Sequence, residues 1–133
     1  AGAVYIYDRG AGWTLTKKIV AFDGAEMDYF GYSVSLSSST ASNGTVLAVG
    51  AQRADGAYTD MGAVYAFGKD IGGTDAWDPI GSGKFTARDG AFNDMLGYSV
   101  SCSADGEWIA AGAPGDDEDG LEDRGSVYIF HLE

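Results

Sequence analysis

The chain has 133 residues, with 20 Asp+Glu against 8 Lys+Arg for a formal charge of −12, 45% hydrophobic residues, 13% aromatics, 21 glycines and two prolines. That is one domain's worth of chain at most, with too much apolar surface for wholesale disorder. Its negative field makes nucleic acid a poor partner, no apolar stretch reaches the roughly 18 to 20 residues of a bilayer span, and a lone Cys102 excludes both an intrachain disulfide and a Cys-based zinc cluster.

In chain order, the string GAVYIY at 2–7 reads as a strand whose two faces are both apolar or aromatic, Val4 and Ile6 on one and Tyr5 and Tyr7 on the other. A strand of that kind is expected to be covered on both sides. A second strand over 13–20 carries Trp13, and an acidic connection from Asp23 to Asp28 leads to a third over 31–37. There Tyr32, Val34 and Leu36 alternate with Ser33, Ser35 and Ser37, the period of two that puts apolar groups on one face and small polar ones on the other. Asn43-Gly44 has the chemistry of a type I′ hairpin turn and predicts that strands on either side of it pair antiparallel. Further strands are expected over 45–50, 62–67, 76–86, 97–103, 107–112 and 125–130, with a second such turn at Asp105-Gly106. No window shows helical apolar spacing, and the glycine density opposes helix, so the chain is expected to be all-β.

These elements repeat. GAVYIY at 2–7 recurs as GAVYAF at 62–67 and GSVYIF at 125–130, at spacings of 60 and 63 residues. Between them Trp13 answers to Trp77, Asp23 and Asp28 to Asp89 and Asp94, GYSVS at 31–35 to GYSVS at 97–101, and VLAVGA at 46–51 to WIAAGA at 108–113. Four strands in a period near 60 residues is the grammar of a propeller blade, whose small sheet covers its faces against the next.

Phe30-Gly31 with Gly50-Ala51, and Gly97 with Gly112-Ala113-Pro114, resemble the signature of the FG-GAP repeat family, the blades of the seven-bladed integrin α-chain propeller; the acidic stretch after Pro114 and the GSVYIF string look like its non-integrin branch. Leu96 in place of the family's Phe and Gln52 in place of its Pro are mild departures. The resemblance implies a β-propeller segment of four-stranded antiparallel blades, about two repeats long, forming a single partial propeller over 1–133. Residues 2–20 would be strands three and four of one blade, 31–86 a complete blade, and 97–130 strands one to three of the next. Blades left open at both ends would expose faces and edges to water, so further blades of the same or other chains are the expected partners.

The acidic loop 116–123 is the sharpest candidate site. Asp117, Asp119 and Asp123 with Gly120 partly match a Ca²⁺ loop, with Asp116 beside them as a further candidate ligand for a hard cation that takes six to eight oxygens. Gly115 sits where a first ligand should be, however, and integrin-type repeats carry their Ca²⁺ loop between the first and second strands. The loop therefore reads either as a Ca²⁺ cradle or as a solvated acidic segment that keeps an edge soluble. The Asp pairs 23/28 and 89/94 occur once per unit, which favours Asx-type turns over catalysis. Repeated Tyr5, Tyr65 and Tyr128 read as packing between blades rather than a sugar platform, and Cys102, in the place of Leu36, as a small buried hydrophobe. Tyr58 and Met61 are not repeated and are the better candidates for a unit-specific binding contact. Asn43 heads an N-glycan sequon, a hint of secretion.

The resulting expectation is a non-catalytic, extracellular or cell-surface scaffold for protein or glycan recognition, with Ca²⁺ as the one candidate cofactor. Two alternatives stand beside it: a building block of a polymeric surface assembly, and an accessory domain of a larger enzyme.

Overall fold

The computed structural model describes residues 1–10, 12–38, 44–117 and 119–132. Nine strands form among them: β1 (Val4–Asp8), β2 (Thr14–Ile19), β3 (Ser33–Leu36), β4 (Val46–Ala51), β5 (Ala63–Lys69), β6 (Trp77–Phe85), β7 (Ser99–Cys102), β8 (Trp108–Ala113) and β9 (Ser126–His131). They pair antiparallel into three sheets in simple sequence order, β1-β2, β3-β4-β5-β6 and β7-β8-β9. Each strand lies within about two residues of the span expected for it from the sequence, and no described residue is helical. This is the all-β, propeller-like segment that the repeats imply.

The middle sheet is the centre of the packing. Alternation along β4 and β5 sends Leu47, Val49, Ala51, Ala63, Tyr65 and Phe67 to one side, where they meet Val4, Ile19, Phe30 and Trp77. The intervening Val46, Ala48, Val64 and Ala66 go to the other side, against Leu96, Ile109, Ala111, Ala113 and Leu132. Along β4 and β5 both faces are thus dry, and each fully buried Val or Leu contributes about 1.5–3 kcal/mol relative to exposure.

Two-sided burial was expected for every GxVY strand and holds only for β5. In β1 Val4 is buried but Tyr5 and Tyr7 are 50% and 54% exposed, and in β9 Val127 and Ile129 are 70% and 61% exposed. The reason is position: β5 has a sheet on either side, whereas β1 and β9 belong to sheets with one described neighbour. The alternation in β3 also runs against simple expectation. Its serines face the protein, the Ser33 hydroxyl donating to the Gly97 carbonyl at 2.7 Å and Ser35 Oγ accepting from the Cys102 amide at 3.0 Å. Its Val34 and Leu36 are more than half exposed. Small hydroxyls allow β3 and β7 to approach closely; the apolar side chains point where no described strand lies.

Close approach is also what the repeated glycines provide. A Cβ on Gly97 would lie 2.4 Å from the Ala63 carbonyl oxygen and 3.1 Å from Gly50 Cα, and its φ of +88° is left-handed. Next to it, Leu96 forms a parallel bridge with Gly62 and is itself fully buried, so it fills the slot expected for Phe. Gln52, which stands where Pro was expected, is 7% exposed, and its Oε1 has no hydrogen-bond partner among the described residues.

The turn at Asp105-Gly106 does join an antiparallel pair, β7 and β8, but not as a type I′ turn. Only Gly106 has positive φ, at 72°. The Asp105 carboxylate instead accepts from the Glu107 amide at 3.0 Å and the Ser103 hydroxyl at 2.5 Å, so a side-chain-bonded turn replaces the left-handed pair. Asn43, of the other turn and of the sequon, lies outside the described residues.

Gly97→Ala combines left-handed strain with a backbone collision and is expected to lower unfolding free energy by at least about 2 kcal/mol. Gly120→Ala has similar φ, +73°, but open space around it, and is expected to cost about 1 kcal/mol; urea titrations of the two variants check the difference.

Candidate functional site

The connections between sheets carry most of the ordered polar chemistry. In the first, between β2 and β3, Asp28 is buried and its Oδ2 accepts from the Ala25 amide at 2.7 Å. In the second, between β6 and β7, Asp94 is 1% exposed and its Oδ2 accepts from the Ala91 amide at 2.6 Å. Positive φ at Met27 and Tyr29 recurs at Asn93 and Met95, so the two connections share one backbone shape. These two aspartates do the expected turn work.

Their repeated partners, Asp23 and Asp89, do something else. The Tyr65 hydroxyl, on β5, donates to Asp23 Oδ1 at 2.7 Å, and the Lys84 ammonium, on β6, reaches Asp23 Oδ2 at 2.6 Å. Tyr65 and Lys84 are cross-strand partners, and the ammonium lies 5.4 Å from the Tyr65 ring centroid. The β2–β3 connection is thereby tied to two strands of the middle sheet at one point. In the next unit the Tyr128 hydroxyl, on β9, faces Asp89 Oδ1 at 2.9 Å and Asp116 Oδ2 at 2.8 Å. In the preceding one Tyr5 and Lys18 are again cross-strand partners, the ammonium 5.6 Å from the ring centroid. The sequence marked the tyrosines as packing and the aspartates as turns. Their recurrence, the tyrosines in three units and the aspartates in two, was the available signal that they meet.

The electrostatics follow from this geometry. Burial pushes the Asp23 carboxyl up, but hydrogen bonds from Lys84 and Tyr65 and the ammonium charge outweigh it, and its pKa lies below the ordinary 3.8. Burial, and then donation to Asp23, raises the Tyr65 hydroxyl. Burial raises Tyr128 too, reinforced by Asp116 and Asp89. Burial also raises Asp94 above 3.8, opposed by the Ala91 amide and assisted by the negative charges of Asp116, Asp117 and Asp89.

The acidic-loop residues take separate tasks. Asp116 is 7% exposed and faces Tyr128. Asp117 Oδ1 accepts from the Asp123 amide at 2.8 Å and closes the loop on itself. Asp119 pairs with Arg124 at 3.5 Å, both side chains well exposed, a contact of little energetic weight. Among the described residues no three His, Cys, Asp or Glu side chains converge as a metal-holding group.

Of the two unit-specific residues, Tyr58 is exposed at 55%, on the connection between β4 and β5. Met61 is 7% exposed, with its thioether lying over Gly90, so Tyr58 is the accessible member. Cys102 is half-buried, with its thiol 3.6 Å from the Ser35 carbonyl oxygen and its pKa raised by burial.

The family model for the FG-GAP repeat matches residues 13–67 and 82–130. A comparison with curated proteins found no match.

Two outcomes are expected from the polar ties. Tyr65→Phe removes a hydrogen bond to a carboxylate and should cost about 1–2 kcal/mol at neutral pH. Because the folded-state pKa of Asp23 is lowered, that contribution is present above the ordinary carboxylate pKa and fades as pH falls through the lowered value; chemical denaturation from pH 7 to pH 2 reads it. Asp94 has the opposite sign. Its raised pKa means that stability is lost as pH rises through it, so Asp94→Asn, which keeps an acceptor for the Ala91 amide, should raise Tm at pH 7 and flatten the pH dependence.

Proposed function

The chain belongs to the FG-GAP repeat family, and from that premise we propose that it is a run of β-propeller blades acting as a non-catalytic recognition scaffold outside the cell or on its surface. The FG-GAP repeat is generally a scaffold fold. On this reading the two-stranded sheet supplies strands three and four of one blade, the four-stranded sheet is a whole blade, and the three-stranded sheet supplies strands one to three of the next. The observation that carries the proposal is the pair of uncovered apolar surfaces at opposite ends of the stack. One holds Tyr5 and Tyr7, the other Trp108, Val127 and Ile129, all 44–70% exposed.

Clusters of exposed apolar side chains of this character mark interaction sites. The middle sheet supplies the pattern for what covers them, since its equivalent faces are dry. Further blades, of the same chain or another, are the partners this favours; the same open faces also suit a building block of a surface assembly. Recognition of a protein or glycan is assigned to the loops, with Tyr58 as the exposed aromatic that the repeat does not dictate. The sequon at Asn43 supports secretion. Ca²⁺ at Asp117, Asp119 and Asp123 rests on residue type alone.

Light scattering of the 133-residue chain at tens of micromolar is expected to show association beyond 13.8 kDa, reversed by Val127→Lys. A monodisperse monomer that binds no hydrophobic dye would overturn the covered-face reading.

A further inference from the structure

A cleft of about 510 Å³ lies between the β1–β2 and β5–β6 strand pairs. Asp8, Arg9 and Thr16 line it from the first pair, Lys69, Asp75 and Trp77 from the second, with Ile6 beside them. Tyr58 precedes β5 and Lys69 ends it, so the cleft is at the other end of that strand from Tyr58. Each wall is an antiparallel pair in register with its own partner, β1 with β2 and β5 with β6.

Local structure builds both walls. Thr16 is the residue passed over where the β1–β2 register shifts, since Ile6 faces Lys17 and Tyr7 faces Leu15. A bulge of this kind bends the strand and re-aims a side chain; here Thr16 lines the cleft, its hydroxyl donating to the Ile6 carbonyl at 3.1 Å. One carboxylate oxygen of Asp8 accepts from the Gly10 amide at 2.7 Å. On the opposite wall Lys69 and Trp77 are cross-strand partners, and the turn between them is held by the Asp75 amide donating to Asp70 Oδ1 at 2.5 Å. The Lys69 ammonium lies 3.6 Å from Asp75 Oδ1, with the two side chains 39% and 78% exposed. So loose and exposed a pair has little energetic weight, and a ligand can replace it.

The mixture of groups selects the ligand. In a chain with only eight Lys and Arg, two of them face this cleft together with two carboxylates. An apolar ligand would strip water from four charges and put nothing in its place. A bare inorganic anion would meet Asp8 and Asp75 as well as Arg9 and Lys69, and would leave Ile6 and Trp77 unused. A sugar acid suits every wall: its carboxylate accepts the planar guanidinium fork, its hydroxyls donate to the Asp carboxylates, and the C–H face of its ring lies against Ile6 and Trp77. We propose that the cleft binds an acidic saccharide, a uronate, with Arg9 and Lys69 holding its carboxylate and Asp8 and Asp75 accepting from its hydroxyls. The volume falls within the roughly 300–1,000 Å³ usual for small-molecule sites. The site goes beyond the recognition assigned to the loops and depends neither on Tyr58 nor on any further blade.

The test adds the disaccharides of galacturonate, glucuronate and mannuronate in turn to the isotopically labelled 133-residue chain. With at least one of them the amides of Asp8, Arg9, Lys69 and Asp75 and the Trp77 indole N–H are expected to shift saturably, and the neutral methyl ester of that sugar should bind about tenfold more weakly. Arg9→Gln should weaken the free acid about tenfold and narrow the gap between acid and ester, whereas Arg124→Gln, on the β8–β9 connection, should leave binding unchanged. No shift at the cleft with any of the three sugars, or equal binding of acid and ester, would overturn the proposal. Inorganic phosphate giving the same shifts at the same concentration would overturn it too, because the cleft would then be a non-selective anion site. Shifts at Tyr58 in place of the cleft would overturn this site while leaving recognition by the loops intact.

Discussion

A small antiparallel sheet with two apolar faces cannot stand alone in water, and the architecture of this chain follows from that constraint. The β3–β6 sheet has Leu47, Val49, Tyr65 and Phe67 on one face and Val46, Ala48, Val64 and Ala66 on the other. Neither set is buried by its own sheet. The two-stranded and three-stranded sheets cover them, and those covers in turn expose Tyr5 and Tyr7 at one end and Val127 and Ile129 at the other. Stability is therefore a property of neighbouring units, and each added unit carries the open face one step further.

Stacking at this distance demands small groups where backbones meet. Gly62 and Gly97 admit carbonyl oxygens of the adjoining sheet where a Cβ would collide, and Ser33 and Ser35 meet β7 through hydroxyl contacts with its backbone. The polar ties then fix the angle. Asp23 comes from the connection that joins two sheets, Tyr65 and Lys84 from the second of them, and their short contacts leave little freedom for one sheet to slide on the other. Apolar burial supplies most of the energy; the hydrogen-bonded cluster supplies specificity of placement.

Much of this was legible before any coordinates. Seven of the nine strands follow from period-two alternation and from the recurrence of GxVY, GYSVS and the Gly-Ala strand endings, β2 and β6 follow from the recurring Trp13 and Trp77, and Leu96 occupies the slot its repeat position assigns. What the sequence did not carry was which faces end up wet, because exposure of Tyr5 or Val127 depends on the neighbouring sheet and not on the residue. Turn type at Asp105-Gly106 was also missed, since an Asp side chain can bond the local backbone as readily as it tolerates a left-handed φ. The contacts of Asp23 with Tyr65 and Asp89 with Tyr128 span 42 and 39 residues, and a separation of that order is visible only when two recurring residues are considered together. In the acidic loop, charge density did not tell which carboxylate takes which partner: Asp116 faces Tyr128, Asp117 accepts from the Asp123 amide and Asp119 pairs with Arg124.

The central claim is that the middle sheet is held by covers on both sides. Native-state hydrogen exchange measures this most directly, because it ranks the opening free energy of each strand. The account predicts that the amides of β4 and β5 exchange only through global unfolding, while those of β1 and β9, each in a sheet with one described neighbour, open at distinctly lower free energy. Equal protection across all the sheets, or faster exchange in β5 than in β9, would contradict it.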